Sequence, residues 1–342
     1  MHTPRVYLGI ALLVALSCSR LAAADRVKHA AGTQTGEITE ISPTEIAIKL
    51  GSTPKRFAVN VIESVAFDSE PNDLAQARIA VHAGRYEDAV SMLARIDVDE
   101  IKRAEIVQDI EFFKALAAAR LALAGSGNKA DAGRQLLAFE KAHATSFHYF
   151  EACEALGDLL AGLNKFDQAE SFYAKLATAP WPDYKMRAGV LRGRALVNQK
   201  QYELASKQFD EVLAIDASGK DADRQKLAAS LGKASALAAA DKTDEAIKLI
   251  EGIIAKADPE NLELHARAYT ILGNCYKAAN KKKEALLAFL HVDLLYSRFP
   301  EQHAEALANL ATLWADVDKA DRATQARNLL KEKYPNSTWA QK

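Results

Sequence analysis

Histidine, cysteine, serine and lysine do most protein chemistry, so their spacing is the first thing to read. The histidines beyond residue 24 are His29, His82, His143, His148, His265, His291 and His303. A helical zinc site needs two of them four apart with a glutamate between, as in H-E-x-x-H, and no pair has that form. His143 and His148 are five apart, which takes them off a common helical face, and they flank a turn. Gly125-Ser126-Gly127-Asn128-Lys129 has the composition of a phosphate loop. It lacks the G-x-x-x-x-G-K-[ST] spacing and comes after a helical pattern instead of a strand, so it reads as a turn between helices. No G-x-S-x-G elbow occurs, and neither Cys153 nor Cys275 has a base beside it. Lys281-Lys282-Lys283 reads as a solvated basic turn, and Trp181 between Pro180 and Pro182 as a stiff, packed corner. No catalytic residue, metal or cofactor is expected, and the chain is not expected to be an enzyme.

The N-terminal residues carry an address. Arg5 precedes an apolar run from Val6 to Leu16, then come Ala22-Ala23-Ala24 and Asp25. This is the anatomy of a secretory signal over residues 1–24, with an apolar run too short to span a bilayer. An exported, periplasmic or cell-envelope protein is expected. The alternative is a lipoprotein anchored at Cys18, the one route by which a membrane partner is expected. The net charge of −1 offers no global attraction to nucleic acid, and none is expected as a partner. Cys153 and Cys275 fall about three repeats apart in the helical register, too far to be bridged, and are expected to be free.

The chemistry being absent, the elements themselves must carry the function. Composition changes near residue 70. Before it, Ile46, Ile48 and Leu50 alternate with Ala47 and Lys49, the period of a half-buried strand. Phe57-Ala58-Val59 and Ser64-Val65-Ala66-Phe67 are similar runs, and turn signals lie at Ala31-Gly32-Thr33, Ser42-Pro43 and Gly51-Ser52-Thr53-Pro54. Four or five strands in about forty residues cannot bury much surface alone. The module, residues 25–70, must close into a small barrel or lean on the rest of the chain. Gly36-Glu37-Ile38 and Val61-Ile62-Glu63-Ser64-Val65 resemble the strand pattern of SH3-like or Sm-like barrels, which implies a barrel-like module over residues 26–68.

From residue 71 to 342 the chain is rich in Ala, Leu, Glu, Lys and Gln, all strong helix formers. Tyr269-x2-Leu272-Gly273-x2-Tyr276 leads to Ala285-x3-Phe289. Cys153-x2-Leu156-Gly157-x2-Leu160 leads to Ala169-x3-Tyr173. Gly193-x2-Leu196 precedes Tyr202, Ala205 and Phe209, and weaker copies surround Ala89 and Ala246. The spacing resembles the tetratricopeptide repeat, TPR, of bacterial exported and envelope proteins. Ala89, Ala132, Ala169, Ala205, Ala246, Ala285 and Ala326 set a register of about 40 residues, against about 34 in the family unit. The resemblance implies a mainly α fold, an α-α superhelix of about seven helical hairpins after the small barrel-like module.

Gly157 and Gly273 stand where one helix of a hairpin crosses the other closely, and aromatic residues fill the space between hairpins. One hairpin cannot hide its apolar face, so neighbours must stack. The resemblance implies that the resulting concave wall binds extended peptides or partner helices. Wall positions in the register are Glu151, Glu154 and Asp158, then Arg187, Arg194 and Asn198, then Arg267, Asn274 and Lys277. In relatives that grip a terminal carboxylate with Lys and Asn, Asn274 matches the Asn, while Thr270 holds the Lys position. The expected function is a non-catalytic scaffold for other envelope proteins or peptides; the alternative is a ligand-binding module for glycan or peptidoglycan.

Overall fold

Helices dominate the computed structural model, which describes residues 24–341 apart from position 336. The expected signal segment and Cys18 lie outside the described residues. Five strands come first: β1 (Asp25–His29), β2 (Gly32–Ile41), β3 (Glu45–Leu50), β4 (Thr53–Ala58) and β5 (Ile62–Ala66). Fourteen α-helices come next among the described residues. They are α1 (Asn72–His82), α2 (Tyr86–Ala94), α3 (Ala104–Leu123), α4 (Lys129–Ala142), α5 (Tyr149–Gly162), α6 (Phe166–Leu176) and α7 (Pro182–Asn198). The second half comprises α8 (Tyr202–Leu213), α9 (Lys220–Ala239), α10 (Thr243–Lys256), α11 (Leu262–Ala278), α12 (Lys282–Leu295), α13 (Pro300–Asp316) and α14 (Ala320–Lys333).

The helices pair in order into hairpins, and each hairpin turn uses the same backbone device. A residue in the left-handed region stops the first helix: Gly84, Gly125, Asn164, Lys200, Asp241, Asn280 and Asp318 in turn. The next amide then donates back to a carbonyl five residues earlier, as Lys165 does to Leu160 at 2.8 Å and Gln201 to Leu196 at 2.9 Å. This closes the open helix end. Asn and Asp tolerate that conformation through their short polar side chains, and Lys200 holds it without such help.

The turn also fixes the register. In every turn but the α3–α4 one, an alanine stands five residues after the left-handed residue, as the fourth residue of the second helix: Ala89, Ala169, Ala205, Ala246, Ala285 and Ala323. Each is nearly or wholly buried. The α3–α4 turn is two residues longer, and Ala132 takes the same place in α4. The last hairpin corrects the sequence register, because Ala323 occupies that position and Ala326 lies one helical turn further on. The run of alanines in α14 hid the difference.

Glycines on the first helices explain how the layers close. A Cβ on Gly273 would lie 2.7 Å from the Phe289 ring, one on Gly157 2.4 Å from the Tyr173 ring, and one on Gly193 2.5 Å from the Phe209 ring. Phe209 is wedged further, since a Cβ on Gly232 of the next hairpin would meet it at 2.4 Å. The rings of Phe209 and Phe289 are wholly buried, and Tyr173 almost so. The apolar core accordingly runs as a chain of clusters along the stack, each shared by neighbouring hairpins. Cys153 and Cys275 are buried free thiols within these layers, and burial pushes them up to about 12 and about 11.

The N-terminal module is an open antiparallel sheet in the order β4-β3-β2-β1-β5, which corrects the expected barrel. β4 and β5 remain its two edges. β2 pairs with β1 through its first half and with β3 through its second, bending at a bulge between Ile38 and Glu40. Gly36 sits at the crossover, where a Cβ would lie 2.3 Å from the Lys49 carbonyl oxygen. Closure is not needed because the helices cover the apolar face. Val27, Ile46, Val65 and Phe67 share one core with Leu74, Ile106 and Ile110 of α1 and α3. Asp25 fastens the junction. It accepts from the Ile38 and Asp68 amides at 2.8 and 2.7 Å, and from both terminal nitrogens of Arg103 at 2.6 and 2.9 Å. Burial works against its charge, yet Arg103 and the two amides hold Asp25 below the usual carboxylate value.

Gly273→Leu should destabilise the chain by about 2 kcal/mol or more, because the Phe289 ring has no room to retreat. Gly252→Leu on α10 is the control, since no atom lies within 4 Å of its added Cβ. Thermal and urea melts should show the first variant well below the second; equal melting would contradict the packing described here.

Candidate functional site

The first helices α5, α7, α9, α11 and α13 line a groove along the inner wall of the stack. Its floor is apolar, with Val190 and Leu191 from α7, Leu227 and Leu231 from α9 and Leu264 from α11. It widens into two adjoining cavities of about 260 and 400 Å³. Arg194, Ala228, Leu231 and Arg267 border both, so the two are parts of one channel.

Five of the nine wall positions read from the sequence line this channel: Glu154, Arg187, Arg194, Asn198 and Arg267. Arg187 pairs with Glu154 at 2.6 Å, and Arg267 with Glu263 at 3.1 Å. Arg194 makes no ion pair or hydrogen bond with any described residue. Burial and the neighbouring Arg267 lower its pKa from the usual guanidinium value.

The other four are committed elsewhere. Asp158 is 3.1 Å from Arg120 and accepts from the Tyr173 hydroxyl at 3.1 Å, which ties α3, α5 and α6 together. Asn274 donates to Glu305 at 2.7 Å, and Lys277 to Asn309 at 2.7 Å, both across to α13. Thr270 is buried and donates to the Ala266 carbonyl at 2.8 Å. The one carboxylate that Asn274 holds therefore belongs to the chain itself. Glu151 faces a separate cavity of about 130 Å³ between β5 and the helices.

That second cavity covers a buried polar network. Arg78 of α1 donates through Nε to Asp109 of α3 at 2.7 Å and grips Glu70 with two nitrogens at 2.7 and 2.8 Å. His148 lies 2.6 Å from the other oxygen of Asp109 and stacks on Phe112 with ring centres 3.8 Å apart. Burial opposes both charges, yet the contact holds Asp109 below and His148 above its ordinary value. His143 turns to Glu111 instead, at 2.7 Å. The network is saturated by its own members and joins the first three hairpins. Among the described residues no group of His, Cys, Asp and Glu could hold a metal ion, and no helix is long and apolar enough to cross a membrane.

Sequence reasoning did not find Glu301, Gln302 and Glu305 of α13, or Arg224 and the apolar floor of α9. The wall therefore runs acidic, basic and acidic again. On α13 the missing signal is the Leu-Gly pair, which that helix lacks. On α9 the pair is present as Leu231-Gly232, and it marks the close approach of Phe209. With the turn device as a guide, the inward positions of both helices become countable. Trp181 is half-buried as a packed corner, edge-on to Phe150 and Tyr184.

Glu154 has a consequence for pH dependence. Burial outweighs the nearby Arg187 and pushes its carboxyl from the ordinary 4.5 to about 7. Between those values the folded chain keeps a proton that the unfolded chain has released, so stability falls as pH rises through the window. Glu154→Gln lacks this titration. The melting temperature of E154Q relative to wild type should climb between about pH 5 and pH 7.5; a constant difference would contradict the assignment.

No protein-family model matches the chain, and no curated protein matches it in sequence. Solved structures do. A tetratricopeptide repeat protein from Parabacteroides merdae superposes with a TM-score of 0.59 at 16% identity, covering 79% of this chain and 94% of that one. A Rap protein complexed with Competence and Sporulation Factor superposes at 0.54 and 15% identity, covering 78% and 77%. The apo form of RapI gives 0.54 at 12% identity, covering 78% and 76%. Hairpin register, glycine contacts and these superpositions agree: residues from α1 onward adopt the tetratricopeptide-repeat fold.

Proposed function

We propose that this chain is a non-catalytic scaffold whose inner groove holds extended segments or helices of other proteins. The observation that carries the reading is the continuity of the groove across five successive first helices, with an apolar floor and charged rims. Such a surface suits a long, thin occupant that alternates apolar and charged side chains. A Rap protein of the same fold is held in complex with Competence and Sporulation Factor, which is consistent with a role in holding a partner. We further propose, from residues 1–24, that the protein is exported to the periplasm or cell envelope, where its partners would be other envelope proteins. A lipid at Cys18 would be the one membrane attachment.

The sheet supports the same reading. β5 and the turn before it border one cavity together with His82, Phe113, Phe147 and Tyr184 of the helical layer. Asn60 reaches Asp183 of α7 at 3.4 Å. The module thus occupies the N-terminal part of the inner wall and leaves the stretch from α5 to α13 for an occupant. Sugar platforms use exposed aromatic faces, whereas Tyr173, Phe209 and Phe289 are consumed in packing.

A photo-crosslinking residue in place of Ala228, on the groove, should capture proteins from envelope extracts. The same residue in place of Leu287, exposed on the outer helix α12, should not. Equal capture at both sites would contradict the reading. So would a melting temperature raised by peptidoglycan fragments with no protein captured at Ala228.

A further inference from the structure

We infer that Arg194 and Arg267 form a carboxylate-reading subsite at the middle of the groove, so that the occupant must present an acidic group there. This rests on the groove being the binding surface. Both arginines border both cavities, where α7, α9 and α11 converge. Every other arginine of this channel already has a carboxylate: Arg187 has Glu154, Arg224 has Asp221 and Arg267 has Glu263. Among the described residues Arg194 has no such partner, and the charge it feels most strongly is the like charge of Arg267, ahead of the opposite charges of Asp158 and Glu301.

Two guanidinium groups facing one channel with one of them unpaired is an unfavourable arrangement for the empty protein. Partial removal from water weakens hydration of Arg194, and Arg267 adds repulsion. A carboxylate between them would relieve both effects at once. The planar fork of each guanidinium suits a carboxylate held by paired N–H donors. Leu231 and Ala228, which border both cavities, supply apolar contact beside it. Further along the channel Glu301 and Glu305 of α13 would repel a second acidic group. The occupant is thus expected to carry one acidic group at this point, flanked by apolar side chains and without acid toward α13. Because the channel continues past the two arginines toward both α5 and α13, the carboxylate is an Asp or Glu side chain within the segment and not a chain terminus.

The test is selection from two random twelve-residue peptide libraries, one displayed with free and one with blocked C-termini, against the full protein. Enrichment of one acidic position in both libraries supports the side-chain carboxylate; enrichment confined to the free-terminus library would overturn it in favour of a terminal one. Selected peptides should bind Arg194→Gln at least about tenfold more weakly, as expected on losing a hydrogen-bonded charge. Arg194→Lys should recover part of the affinity, and rising salt should weaken wild type more than R194Q. Peptides that enrich without an acidic position, or that bind R194Q as well as wild type, would overturn the subsite and leave the groove reading intact. Failure of both libraries, or peptides whose binding survives Leu231→Arg, would overturn both.

Discussion

An aromatic ring set directly on a glycine is the contact on which the rest of this structure depends. Tyr173 on Gly157, Phe209 between Gly193 and Gly232, and Phe289 on Gly273 let helices approach to a distance that any side chain would forbid. These contacts close each hairpin on itself, while Phe209 also meets Gly232 of the next hairpin and Phe289 shares an apolar cluster with Leu307 and Leu310 of α13. Burial of an aromatic side chain contributes a few kcal/mol, and for Phe209 and Phe289 the clusters that bury the ring are shared by neighbouring hairpins, so stacking completes it. Stacking in turn aligns the first helices side by side. The groove is a by-product of that alignment, which explains why its lining residues come from five helices.

The two ends of the stack are treated differently. At the N-terminal end the open sheet covers the inner wall, tied down by Asp25 to Arg103 and by a shared apolar core. Beneath it, the ion-paired network of Glu70, Arg78, Asp109 and His148 is buried and internally satisfied. Removing one member would strand the charge of another, a far larger loss than the network contributes as a whole. Toward the C-terminus the inner wall stays open, and the groove lies there.

Much of this was legible in the sequence because the repeat has a small alphabet. A Leu-Gly pair, an alanine opening the second helix and an aromatic four residues later report one packing geometry, and they located most hairpins. The sign pattern of the wall was only half legible. Glu154, Arg187, Arg194, Asn198 and Arg267 come directly from the register, whereas Glu301 and Glu305 sit on a helix without the Leu-Gly mark. α9 was hard to read for a physical reason: it packs against α7, α8, α10 and α11, so its alanines are spread around most of its circumference. The His148–Asp109 contact could not be foreseen, since its members are 39 residues apart and neither carries a motif. The sheet's open form was equally hidden, because strand patterns do not say whether a neighbour or closure covers the apolar face.

The most direct measurement is hydrogen exchange across the whole chain, with and without a captured segment. Bound segment should slow exchange at α7, α9 and α11 and leave the outer helices α8, α10 and α12 and the sheet unchanged. Protection of the outer helices or of the sheet, with the inner wall unaffected, would contradict the account.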